Sequence, residues 1–216
     1  MSIDQKVLFE RVKNILLQPN SEWDKINTEP TTIAELYKNY IAVLAAASAV
    51  CGFIGSVVFG YGFWMVSVHI PVFFALGASL KIFILSLISV AILGLVIDFL
   101  APSFQGQQNR TQAFKVAAYS LTAKWVSGVL ALLPGLAVLG MILGLYSFYL
   151  LYCGLPKLMK NPQEKTVAYT ASVVVVAIIV QVIIGAMVYS PFGGGYTPSS
   201  QINMLFMVMT AMRMPS

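Results

Sequence analysis

The amino-acid sequence predicts an all-α polytopic membrane protein, a bundle of five transmembrane helices preceded by an N-terminal amphipathic arm. Three observations lead there. Hydrophobic residues make up 58% of the 216-residue chain and charged residues 10%, against about 45–50% and about 25% in average globular chains. The apolar residues fall in runs close to the roughly 20 that one bilayer-spanning helix needs. The charges collect in the short segments between those runs and in the first forty residues. Five spans consume most of the chain and leave no room for a second folded domain in water.

Residues 1–39 form the arm. They hold six of the eight acidic and five of the thirteen basic residues. Ile3, Val7, Val12, Ile15 and Leu16 recur at helical spacing with Lys6, Glu10, Arg11 and Lys13 between them, which predicts an amphipathic helix stopped by Gln18-Pro19-Asn20. Such a helix either packs on the cytoplasmic ends of the spans or lies among the headgroups. A second start follows, with Ser21 as cap, Asp24 three residues on and Trp23 as an interface anchor. Glu29-Pro30-Thr31-Thr32 opens a short helix that leads into the first span.

The membrane domain covers 40–190, with spans at about 41–59, 78–100, 113–133, 136–154 and 167–189. The first apolar run begins near Ile41, too far from Met1 for the core of a cleaved signal peptide. Gly52 and Gly55 give the first span a small-residue face, and Gly140 and Gly144 do the same for the fourth; small residues let helix backbones approach in lipid. Gly60, Gly62, His69 and Pro71 mark an outer loop before a second helix that starts near Val72, longer than the bilayer requires. Ala101-Pro102 ends that helix, and Pro134-Gly135 makes a tight turn between spans three and four. Residues 191–216, with Pro191-Phe192-Gly193-Gly194-Gly195 and an apolar stretch at 202–212 too short to span, are expected to be a loose outer tail.

Ten of the thirteen basic residues, among them Lys38, Arg110, Lys115 and Lys157, fall on one side of this topology. The excess of Lys and Arg on cytoplasmic segments then places the N-terminus inside and the C-terminus outside. No compact basic patch with interleaved aromatics points to nucleic acid. Cys51 and Cys153 lie in apolar runs outside any CxxC pattern, and the one histidine, His69, has no acidic neighbour, so no metal or other cofactor is expected. No G-x-S-x-G, P-loop or dinucleotide fingerprint follows a strand, and the chain is not expected to be an enzyme or to take a soluble substrate.

Several segments carry a resemblance. They are Pro19-x-x-Glu22-Trp23-x-x-Ile26-x-x-Glu29-Pro30-Thr31, then Ile97-Asp98-x-x-Ala101-Pro102-x-Phe104, then Ala117-Ala118-Tyr119-Ser120-x-Thr122-x-x-Trp125. Gly144-Leu145-Tyr146-Ser147-x-Tyr149-Leu150-x-Tyr152 and Gly154-Leu155-Pro156-x-Leu158-Met159-Lys160 complete the set. In order and spacing they resemble the bacterial branch of the Yip domain family, the Ypt/Rab-interacting proteins, over roughly 7–190. The resemblance implies a five-helix bundle with a cytoplasmic N-terminus in a bacterial inner membrane. Eukaryotic members bind Rab-type GTPases in vesicle traffic, a role that does not carry over to a bacterial chain. The resemblance brings no catalytic residues.

Asp98 is the acidic residue within a span, near the cytoplasmic end of the second; Lys124 is the basic residue well inside one. Ionisable groups at depth point to function or to a buried pair. One reading is a polar intramembrane site of Asp98 and Lys124 with Tyr119 and Tyr149, beside Tyr146 and Tyr152, forming an ion, proton or lipid-headgroup path. The other has Asp98 pairing with Arg110 or Lys115 while Lys124 snorkels to one face. Two functions follow: a scaffold, assembly factor or membrane organiser whose partners are the bilayer, itself or other membrane proteins, or a transporter, channel or lipid-handling protein.

Overall fold

A computed structural model describes residues 5–59, 61–63, 66–68, 71–130, 132 and 136–189. The arm is two helices, α1 (Gln5–Leu17) and α2 (Pro19–Thr28). Pro19 does more than stop α1. It sits in the first turn of α2, where its fixed φ suits a helix start and its missing N–H costs no bond. The cap expected at Ser21 is therefore three residues too late, since Gln18 holds that position, and the Ser21 hydroxyl donates back to the Gln18 carbonyl at 3.1 Å instead of capping.

Helix α3 (Ile33–Val58) is the first apolar span. The helix expected to open over Glu29-Pro30-Thr31-Thr32 begins with a reciprocal capping box: Thr32 Oγ1 accepts from the Glu35 amide at 3.2 Å and Glu35 Oε2 accepts from the Thr32 amide at 3.0 Å. A wider, π-type turn over Tyr37–Ile41 interrupts the helix before it enters the apolar run. Two three-residue strands, β1 (Tyr61–Phe63) and β2 (Val66–Val68), pair antiparallel with Gly62 opposite Ser67. They occupy part of the expected outer loop; His69 lies outside the described residues.

Helix α4 (Val72–Leu100) starts where the sequence places it and runs 29 residues, about 43 Å at 1.5 Å per residue. It tightens into a 3-10 turn over Ala101–Phe104, and Gln105 at φ 58° ends it. Helices α5 (Arg110–Ser120) and α6 (Thr122–Leu130) follow, with a break at Leu121. Asn109 caps α5 by accepting from the Gln112 amide at 3.1 Å. Helix α7 (Ala137–Met159) continues through Pro156 to a left-handed Lys160, five residues past the expected end at Gly154. Helix α8 (Gln163–Tyr189) closes the described chain. The Pro134-Gly135 turn and the 191–216 tail lie outside the described residues.

Among the described residues the fold is helical apart from that small hairpin, and four helices are long and apolar enough to cross a membrane: Ile33–Val58, Val72–Phe104, Val138–Met159 and Gln163–Ala186. The expected count of five is not confirmed among these residues, because the third span arrives as α5 and α6, neither long enough alone. Its position explains its composition. Every residue from Ala113 to Ser120 is buried, Lys115 included, with α3, α4, α7 and the arm around it. A segment enclosed by protein on all sides need not satisfy the hydropathy of one that faces lipid.

Close approaches fix this packing at glycines other than those singled out by spacing. A Cβ on Gly154 would lie 2.7 Å from the Trp23 ring, and one on Gly94 would lie 2.8 Å from the Phe114 ring. A Cβ on Gly128 would collide with Ser48. Gly140 faces Ser127 at ordinary contact distance, whereas Gly52 and Gly144 meet nothing within 4 Å and Gly55 is buried. Replacing Gly154 by alanine is expected to overpack the Trp23 seat and cost about 1–3 kcal/mol, read as a lower unfolding midpoint in detergent. Gly144→Ala should leave that midpoint unchanged; equal effects of the two substitutions would contradict the packing.

Candidate functional site

Polar side chains gather where the arm meets α5 and α7. Arg11 on α1 donates from Nη1 to Glu22 Oε1 at 2.6 Å and from Nη2 to Glu29 Oε1, and its guanidinium lies 5.9 Å from the Tyr119 ring centroid. Burial works against the Arg11 charge, but the hydrogen bond to Glu29 and the two carboxylates outweigh it, holding the pKa above the ordinary arginine value. Lys115, 3% exposed, donates to the Ile26 carbonyl at 2.9 Å and the Glu29 carbonyl at 2.6 Å. Gln112 donates to the Asn27 carbonyl at 3.1 Å. Both therefore satisfy carbonyls at the C-terminal end of α2, where a helix leaves them without intrahelical donors.

Two more tethers come from α7. Tyr146 donates its hydroxyl to the Leu16 carbonyl at 2.9 Å, and Lys157 donates to the Asn20 carbonyl at 2.8 Å and to both Asp24 oxygens at 2.6 Å. Behind the charges lies an aromatic wall. Trp23 meets Tyr119 edge-on at 6.1 Å, Tyr119 packs on Tyr40 at 4.5 Å, and the Tyr40 hydroxyl pairs with Thr122 Oγ1 at 2.7 Å. Arg11 and Lys25 both pair with the buried Glu22, Arg11 also bonds the part-exposed Glu29, and the Lys115 ammonium meets backbone carbonyls; pairing of this kind is the condition for burying such groups.

Asp98 stands elsewhere, at the end of α4. Its Oδ2 lies 3.9 Å from Arg110 Nε, and its Oδ1 is buried without a hydrogen-bond partner. The adjoining corner is closed by Tyr169, which donates to the Ile97 carbonyl and stacks on Phe104 at 4.9 Å. The Gln107 amide donates to the Met159 carbonyl at 2.8 Å, joining the two loops. Lys124 belongs to a third place. Its ammonium donates to Gln181 Oε1 on α8 at 2.6 Å, and Gln181 Nε2 donates to Ser89 Oγ on α4 at 3.3 Å. Trp125 Nε1 donates to Ser86 Oγ on α4 at 3.1 Å.

The structure thus gives the four residues of the expected polar site different partners. Asp98 faces Arg110, as one sequence reading has it; Lys124 bonds to Gln181 on a neighbouring span; Tyr119 belongs to the arm junction; Tyr149 is half-exposed beside Tyr146 at 5.3 Å. Sequence reasoning missed Glu22 and Lys115 as buried groups and Arg11 and Glu29 as their part-buried neighbours. The available signal was the three-residue spacing of Trp23, Ile26 and Glu29, which puts charge and apolar bulk on one helix face. Among the described residues no group of three His, Cys, Asp or Glu is placed to hold a metal ion.

A family model for the Yip1 domain matches residues 13–185. The chain belongs to the Yip1 domain family. It is similar to the inner membrane protein YohC of Escherichia coli K12, at 26% identity over 192 residues covering 87% of this chain and 98% of the relative. YohC of E. coli O6:H1 strain CFT073 matches to the same extent. No solved structure matches. Family membership accounts for the arm motif, because the match takes in all of α2 and most of the residues that hold it.

Removing Arg11 alone should be worse than removing Arg11 together with the Glu22 charge. Arg11→Met leaves Glu22, 2% exposed, with Lys25 at 3.1 Å as its remaining cation, and is expected to cost about 1–3 kcal/mol of stability. The double variant R11M/E22Q should recover part of that loss. Unfolding midpoints in detergent compare the three proteins, and a double variant less stable than R11M would refute the pairing.

Proposed function

We propose that this member of the Yip1 family is a non-catalytic scaffold or assembly factor, acting through contacts between its spans and those of itself or other membrane proteins. The observation that supports this is the use made of its interior polar groups. The arm junction spends Arg11, Glu22, Glu29, Lys115 and Gln112 on joining arm to bundle, while the outward faces carry apolar residues such as Phe73, Phe99, Met141 and Val182. The N-terminus is cytoplasmic and the C-terminus outside in this reading, in line with the basic segments around Arg110 and Lys157. Site-specific crosslinking in native membranes, with crosslinkers at Met141 and Val182, is expected to capture discrete protein adducts; a chain that remains solitary at both positions overturns the scaffold role.

One observation favours a second reading, a transporter, channel or lipid-handling protein. Lys124, Gln181 and Ser89 form a polar chain across three helices, and polar chains within a bilayer mark conduction paths. Lys124→Met and Asp98→Asn in liposomes test it through ion and lipid flux. Flux in the parent that falls at least tenfold in K124M supports transport, and no flux in the parent, or unchanged flux in both variants, removes it.

A further inference from the structure

We infer that the crevice between α6 and α8 binds a long-chain fatty acid, whose carboxylate pairs with the Lys124 ammonium. Among the described residues Lys124 forms no ion pair. Its ammonium meets a neutral amide, Gln181 Oε1 at 2.6 Å, and an ammonium has three protons to donate. Cations held within a bilayer are costly and as a rule paired.

This chain cannot supply the missing anion. Six of its eight acidic residues lie within the first 39, and the other two are Asp98 and Glu164. Glu164 is in the first turn of α8, and Asp98 faces Arg110. The polar chain of Lys124, Gln181 and Ser89 lies far from both. Ser89 stands eleven residues short of Leu100 on α4, about 16 Å, and nine residues from Asp98, about 13 Å. Gln181 stands eight residues short of Tyr189 at the opposite end of α8, about 12 Å. That depth is near the middle of a hydrocarbon layer of about 30 Å. A second copy inserted in the same orientation carries its acids at the same levels as the first. Phospholipid phosphates stay in the headgroup layer, about 15 Å from the midplane. A carboxylic acid is different, because it crosses hydrocarbon in its neutral, protonated form.

The shape of the site suits a single acyl chain. Helix α6 packs on α3 and α7, and α8 packs on α4 and α7; Lys124 and Gln181 reach across the space left between α6 and α8. Lys124 is exposed although protein encloses its ammonium on most sides, as for a side chain lining a crevice. A third helix needs about 8–10 Å from each neighbouring axis, and the direct Lys124–Gln181 bond closes the gap to it. Gly185 stands one turn beyond Gln181 on the same face of α8, and an added Cβ there would meet nothing within 4 Å. A chain leaving Lys124 toward the outer end therefore has room over Gly185, beside Val182, which is 66% exposed to the lipid side. The site deepens the lipid-handling reading of the spans and rests on it. It is tested as binding, so binding without flux and flux without binding show which of the two fails.

The test is photolabelling of the full chain with a diazirine analogue of palmitic acid, in vesicles of phosphatidylethanolamine and phosphatidylglycerol. Labelling is expected to saturate and to be displaced by palmitate but not by hexadecanol, which has the chain without the carboxyl group. In K124M it should fall at least about tenfold, the loss that follows truncation of one partner of an enclosed charge pair. K124R, which keeps the charge, should retain more labelling than K124M. Gly185→Leu, which fills the acyl lane and leaves Lys124 in place, should lower labelling. Labelling that does not saturate, that hexadecanol displaces as well as palmitate does, or that is equal in K124M and wild type overturns the site. The competition between palmitate and hexadecanol uses wild-type protein alone, so it decides the question should K124M not fold. Displacement by a synthetic transmembrane helix with a central Asp, where palmitate has no effect, would give Lys124 to a partner span and overturn the fatty acid.

Discussion

A helix end carries carbonyls that its own residues cannot satisfy, and the interior of a membrane bundle offers little water to take their place. The C-terminal end of α2 meets this constraint with donors from a distant part of the chain, the Lys115 ammonium and the Gln112 amide. Much of the architecture follows from that one junction. It requires α5 to stand beneath the arm, enclosed by other helices, and it brings Tyr119 against Arg11 and Trp23. It also needs a helix with a gap for the indole, which α7 supplies at Gly154. Removing the arm would leave Lys115 and Tyr119 facing an emptied core, so the arm is a structural member of the bundle.

Sequence patterns made the apolar spans legible because lipid imposes a simple rule, a run of about twenty apolar residues. Val72 as a helix start and Ala101-Pro102 as the end of that α-helix rest on local rules of this kind, and both agree with the structure. The third span was the exception. Its neighbours are protein, so its residues answer to packing: Ala113, Ala117 and Ala118 are small and fully buried. Hydropathy reads contact with lipid well and contact with protein poorly.

The charged residues of the arm were illegible for a related reason. Glu22, Glu29, Arg11 and Lys115 look like solvated positions in one dimension, since buried charge is rare unless paired. Lys115 meets the Ile26 and Glu29 carbonyls only through the assembled fold, and Arg11 reaches Glu22 and Glu29 only once α1 and α2 fold back on each other. Asp98 with Arg110 was within reach of sequence reasoning because only one loop separates them. The glycines show the same division. Repeats at four-residue spacing drew attention to Gly140 and Gly144, while isolated Gly94, Gly128 and Gly154 make the closest contacts, and nothing in their local sequence marks them.

The tethers of the arm also order events during synthesis. Residues 16 to 29 are held by side chains from 112 to 157. On a ribosome the arm emerges long before its anchors, and Lys157 appears only when 157 of the 216 residues have been translated. Until α7 has entered the membrane, α2 has no seat for Trp23 and no donor for the Asn20 carbonyl. The segment made early must therefore wait, with its apolar stripe and the carbonyls of Leu16, Ile26 and Asn27 unmet, and the bundle assembles toward it. Biogenesis of this protein runs against the direction of its chain.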